Sequence, residues 1–326
     1  MSARYYLSPD LQGLIGQAEQ VLGTRVTLRR HNDSPRQGIL IDQYRYGTDQ
    51  NLIIFSDSTL GMLKDFVVAQ NCMRLLFNGS AFLNRGLNVL SFDRQTAAAG
   101  MKQIYLDILK DEETRTLEMD EKKQLMVFLY HHFRQVLSEL PWNVLANIEI
   151  LKRFPVMRNA QVYFLIREGS RDIHGLRDAY PCMPARYRVM HNGMHYARDL
   201  VLAYLLSEKQ LNPVFNIPEL MEFSRLDLKE LINSRWSGSE WYHMKMVGDA
   251  MANILKITLP EGITGKEPAL YYRILYDSGI EITSRWLYMT GMQDWYRWES
   301  PPHLRGAEQQ RVEIEQLALG DIFEES

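Results

Sequence analysis

GMLKDFVVAQNCMRLLFN, residues 61 to 78, puts apolar side chains on more of a helical surface than solvent could face. The run from Leu60 to Phe77 therefore predicts a helix covered from more than one side, with Ser58 ahead of it as N-cap. Upstream lie three short runs, RVTLRR (25–30), GILIDQYRY (38–46) and NLIIFS (51–56), each bounded by Gly, Pro, Asn or Asp. They predict strands of one small mixed or antiparallel sheet, with the apolar helix packed across it. Before them, Leu11, Leu14, Ile15, Ala18, Val21 and Leu22 share one helical stripe that Gly23 ends.

Downstream, SAFLNRGLNVLSFD (80–93) breaks the helical period, and from Gln95 to Ser237 the chain reads as successive helices. They are expected at Thr96 to Leu109, Glu121 to Leu140, Trp142 to Arg153, Ala160 to Glu168, Pro184 to Leu206 and Ile217 to Asn233. The charged run DEETRTLEMDEKK (111–123) reads as a solvated junction between two of them. Trp241 to Leu255 adds a helix, LPEGITGKEPA (259–269) a surface connection, and the polar tail beyond Pro301 is expected to fray. The class is α+β. Three portions are expected: 1–93 with the sheet and its helix, 94–258 mainly helical, and an aromatic-rich 259–326 docked on the core.

With 326 residues, 46% of them hydrophobic, the chain can bury one large core or two ordinary ones. A net charge of −3 gives no global pull toward nucleic acid or anionic membrane, although Arg25, Arg29, Arg30 and Arg36 form a local basic patch. Cys72 and Cys182 are the two cysteines, far apart and without a paired spacing, so neither a disulfide framework nor a zinc ribbon is indicated. The N-terminal MSARYYLSPD lacks the basic and apolar regions of an export signal, and no apolar run approaches the roughly 20 residues that span a bilayer. A cytoplasmic protein without membrane contact is expected.

Zinc peptidases place HExxH on one helix because residues four apart bring two imidazoles to one metal, with the intervening Glu as base. At that spacing this chain has Gln70 and Arg74, with Asn71 in the position of the Glu. A helix downstream holds Asn143 and Asn147, four apart on one face; Glu149 lies on a different face and reads as a surface residue. Were Gln70, Arg74 and Asn147 to converge, their amides and guanidinium would suit anions or peptide backbone, not a divalent cation.

The order of helix, three strands and apolar helix resembles the domains of ImmA/IrrE-type metallopeptidases. AQNCMRLL (69–76) is similar to their AHExxHxL line with each chemical residue replaced. LPWNVLANIEILKRFP (140–155) resembles the helix that supplies the third ligand, and ITSRWLYMTGMQDWYRW (282–298) the C-terminal end of such proteins. The resemblance implies a zincin-like sheet and helix, a vestigial cleft at Gln70, Asn71, Arg74, Asn143 and Asn147, and no catalytic residue, metal or cofactor. It also implies a regulatory or defence-linked protein that binds a peptide or protein partner.

Two other readings compete. MHNGMHYARD (190–199) has His191 and His195 at HxxxH spacing, with Asp199 continuing the face and His131 and His132 on another helix, so a hydrolase with a relocated metal site is the enzyme alternative. Gly193 and the apolar neighbours make core histidines the simpler reading. The aromatics Trp286, Tyr288, Trp295, Tyr296 and Trp298, with Arg285 and Arg297 among them, could stack on bases, but Leu287, Met289 and Met292 suit a segment docked on the core. Cys72 sits in an apolar helix as an inert thiol, and Cys182, between two prolines, is expected to be exposed. No nucleophile elbow, phosphate loop or dinucleotide fingerprint is present.

Overall fold

The computed structural model describes residues 7–31, 38–56, 61–166, 176, 180–207, 241–260 and 266–301. Helix α1 (Pro9–Leu22) ends at Gly23, whose φ of 65° is the left-handed turn that releases the chain into the sheet. Strands β1 (Val26–His31), β2 (Gly38–Ile41) and β3 (Asn51–Ser56) form a mixed sheet in the order β1-β3-β2. β1 runs parallel to β3 with Val26 opposite Asn51, and β2 antiparallel with Gly38 opposite Phe55.

The expected strand over 38–46 stops at Ile41, and a short helix α2 (Gln43–Tyr46) follows. Asp42 is the cause. Its buried carboxylate accepts from the Arg45 main-chain N–H at 2.8 Å, from Arg45 Nε at 2.6 Å and from Asn78 Nδ2 at 3.1 Å. A side chain that caps a helix so completely offers the backbone a better alternative than continuing the ladder.

The apolar stretch is helix α3 (Gly61–Leu83), which runs farther than its sequence period suggested. After it come β4 (Val89–Ser91), a strand not anticipated, and α4 (Arg94–Lys110), opened by a capping box between Asp93 and Thr96. The expected break at Pro141 is absent: α5 (Met119–Arg153) passes through it as one helix of 35 residues. Pro141 has no N–H for the carbonyl of Leu137, and the Thr283 hydroxyl donates to that carbonyl instead, at 3.1 Å.

Further helices among the described residues are α6 over 158–166, α7 (Ala185–Ser207), α8 (Trp241–Thr258) and α9 (Pro268–Thr290), and β5 (Arg297–Glu299) pairs antiparallel with β4. α9 lies in the portion read from sequence as connection and docking segment. The expected helix at Ile217 to Asn233, the cap at Ser58, Arg36 and the tail beyond Pro301 lie outside the described residues.

α3 touches α1, β2 and β3 as well as α5 and α9, which explains why most of its circumference is apolar. One hydrophobic cluster runs from Leu11 to Tyr296 through all three portions of the chain. Among the described residues, no helix is long and apolar enough to cross a membrane.

Candidate functional site

Gln70 of α3 faces Asn143 and Asn147 of α5 across a small cavity of about 40 Å³. Gln161, Phe164 and Leu165 of α6 and Arg198 and Leu202 of α7 complete its lining. Gln70 and Asn143 are half-buried, whereas Asn147 and Gln161 are 7% and 2% exposed and form its deep side. The volume holds about three water-sized groups at roughly 10–15 Å³ each. It is a narrow recess between the helices.

The deep amides are locked together. Gln161 Nε2 donates to the Asn147 main-chain oxygen at 2.8 Å and to Asn147 Oδ1 at 3.3 Å, and Asn147 Nδ2 donates to the main-chain oxygen of Asn143 at 2.8 Å. With its nitrogen so engaged, Gln161 presents Oε1 in the other direction, and that buried oxygen has no hydrogen-bond partner among the described residues. Among the described residues of the lining, Arg198 is the charged one. Its Nε and Nη2 lie 2.8 and 2.6 Å from Oδ1 of the fully buried Asp199, which pairs with it.

Arg74 and Asn71, grouped with Gln70 by the spacing, are not part of this lining. Asn71 turns toward the sheet: its Nδ2 donates to the Val67 carbonyl at 2.8 Å and lies 2.8 Å from where a Cβ on Gly38 would stand. Arg74 belongs to a charged group farther along α3, with Arg45, Asp42 and Glu139. Burial is the main influence and holds its pKa below that of an ordinary arginine; Arg45 adds to the effect, and Glu139 and Asp42 oppose it. For Arg45 burial also acts against the charge, yet Asp42 and its neighbours outweigh it and the pKa is raised.

Glu149, expected on the surface, is instead buried, accepting from the Tyr271 hydroxyl at 2.7 Å and from Lys152 Nζ at 3.1 Å. The position is 1% exposed because α9 covers that side of α5. Periodicity within α5 alone could not show this.

The histidines do gather. His132 Nε2 and His191 Nδ1 are 2.9 Å apart, and the rings of His191 and His195 lie 4.3 Å apart, with both α7 residues buried. Phe128 stacks on His132. Among the described residues, no group of three or more His, Cys, Asp or Glu side chains is arranged to hold a metal ion. The C-terminal rings Trp286, Trp295 and Tyr296 are buried, whereas Tyr288 is exposed; Arg285 pairs with Glu281, and Arg297 with Asp93 and Glu299.

Gln161, Phe164, Leu165, Arg198 and Leu202 were not singled out by sequence. The available signal was an amide in the apolar run AQVYFL (160–165) and an adjacent Arg-Asp pair inside a helix otherwise reading as core. Comparison with family models, with curated proteins and with solved structures gives no match for this chain.

Proposed function

We propose that this chain is a catalytically inactive, metallopeptidase-like protein that binds a peptide or protein partner through the cavity between α3, α5, α6 and α7. The observation that carries the reading is that Gln70, Asn143 and Asn147 line one cavity, with Gln70 in the position of a first metal ligand and Asn147 on the helix likened to the third-ligand helix. Side-chain amides supply paired N–H donors and carbonyl acceptors, the complement of peptide groups, and compete poorly with water for a transition metal. Among the described residues of the lining there is no acid, base or nucleophile, and the Arg198 guanidinium is paired with Asp199. A regulatory or defence-linked role follows from the resemblance to ImmA/IrrE-type proteins.

Panning a phage-displayed random peptide library on the purified full chain tests this reading. Enriched peptides are expected to lose about tenfold or more in affinity when Gln70→Leu or Asn143→Leu removes a hydrogen-bonding wall, with circular dichroism showing both variants folded. Enrichment of no peptide, or equal binding to both variants, overturns it. The hydrolase alternative would need its metal at the histidine cluster, and elemental analysis separates the two: stoichiometric zinc lost on His191→Ala or His195→Ala ends the inactive reading. A nucleic-acid reading requires an affinity that falls steeply with salt, and a flat titration removes it.

A further inference from the structure

We infer that Arg74 is a specificity-determining residue that pairs with a carboxylate of the bound peptide, an aspartate or glutamate side chain about two residues from the one held at the cavity; this inference rests on the binding reading above. Arg74 follows Gln70 by one helical turn on α3, and Glu139 precedes Asn143 by one turn on α5. Gln70 and Asn143 line the cavity, and Glu139 is the foremost of the charges acting on Arg74. The two helices therefore run in opposite senses, and the seam between them continues from amides at the cavity to charged groups one turn away. That turn rises about 6 Å. An extended peptide covers the same distance in about two residues at roughly 3.3 Å each, and side chains at that spacing point the same way.

The charges at this end of the seam are unevenly satisfied. The Asp42 carboxylate is engaged at both oxygens, Oδ1 by the Arg45 main-chain N–H and Oδ2 by Arg45 Nε and Asn78 Nδ2, and Glu139 Oε1 accepts from Gln135 Nε2 at 3.3 Å. Half-buried Arg74 makes no hydrogen bond or ion pair with the described residues; Glu139 and Asp42 act on it through space. Its N–H donors are thus open to a ligand. A cationic side chain would meet two guanidinium groups there, Arg74 and Arg45, and an apolar one would strip water from Arg74 without replacing it. A carboxylate supplies the acceptors that the planar fork of an arginine matches. Glu139 is near enough to compete for the same donors, so its removal should favour the ligand.

The test sequences and synthesises peptides enriched from the random library on the full chain, then measures their affinities for wild type, Arg74→Gln and Glu139→Gln, with circular dichroism as the check on folding. Asp or Glu is expected to recur about two positions from a second recurrent residue. Its replacement by Asn or Gln is expected to cost about fivefold or more on wild type and little on Arg74→Gln, because both changes remove one contact. Glu139→Gln is expected to bind the acidic peptide about twofold or more tightly than wild type does. Peptides that need Gln70 and Asn143 yet carry no recurrent acidic residue, or carry it at another spacing, overturn the inference and leave the binding reading standing. An equal loss on wild type and on Arg74→Gln overturns it in the same way. Should Arg74→Gln not fold, the Asp→Asn comparison on wild type and on Glu139→Gln decides, and no loss on either overturns it. Failure of the library to yield any peptide removes the binding reading, and this inference with it.

Discussion

Asp93 shows how one side chain ties stability to pH. Its carboxylate lies below the usual aspartate range, chiefly because it accepts from the Thr96 main-chain N–H, with the Thr96 hydroxyl and Arg297 adding to the effect against some burial. A depressed folded-state pKa stabilises the fold above the unfolded value, and that stability is lost as pH falls through the folded one. Asp93→Ala is therefore expected to cost about 0.5–2 kcal/mol at pH 7, toward the low end for a partly exposed cap, and clearly less in strong acid. Urea melts of both proteins at the two pH values check this, and an unchanged difference would refute the cap. The cysteines make a second residue-scale test. Burial pushes the Cys72 thiol up to about 12, while Cys182 is exposed, so a thiol reagent at pH 8 should label one site in the native chain and two in denaturant. Labelling of both sites under native conditions would contradict the packing of α3.

At the scale of elements, α5 holds the clearest lesson about what a sequence displays. Pro141 rightly signals a missing donor, but the replacement comes from Thr283, far along the chain, so no local pattern could reveal that the helix continues. Thr283→Val should leave the Leu137 carbonyl unsatisfied and destabilise the protein by about 1–3 kcal/mol. Adding Pro141→Ala restores the N–H and should recover most of that loss, which thermal melts of the single and double variants would show. Gly193 carries a similar message: between two histidines it weighs toward a core position, and it is where α8 crosses α7. A Cβ on Gly193 would lie 2.9 Å from Val247, and one on Gly248 would lie 2.4 Å from the Tyr196 ring and 3.1 Å from the Gly193 carbonyl. Gly248→Val is expected to cost about 1–3 kcal/mol through overpacking, read as a lowered melting temperature. The polar positions inside α3 and α5 were legible because amides interrupt apolar runs. Gln161 interrupts an apolar run in the same way, but its place beside Arg198 appears only when α6 and α7 pack against one space.

For the whole molecule, the mixed sheet and the helical bulk follow from periodicity, whereas the way the C-terminal portion joins the N-terminal one does not. β4 has three residues and becomes a strand only through β5, with Leu90 opposite Trp298. Nearby the Tyr130 hydroxyl donates to the Trp295 carbonyl at 2.7 Å, and the Tyr296 hydroxyl donates to the Tyr130 carbonyl at 2.5 Å. Because one core joins all three portions, a fragment of residues 1–93 is expected to show no cooperative urea transition by tryptophan-independent circular dichroism, while the full chain melts in one step. A ribosome adding about 5–20 residues per second needs roughly 10–40 s to travel from β4 to β5. Throughout that interval β4 lacks its pairing partner, and the flank of α3 that α9 covers stays bare until α9 has been made, so closure of the core falls at the end of synthesis.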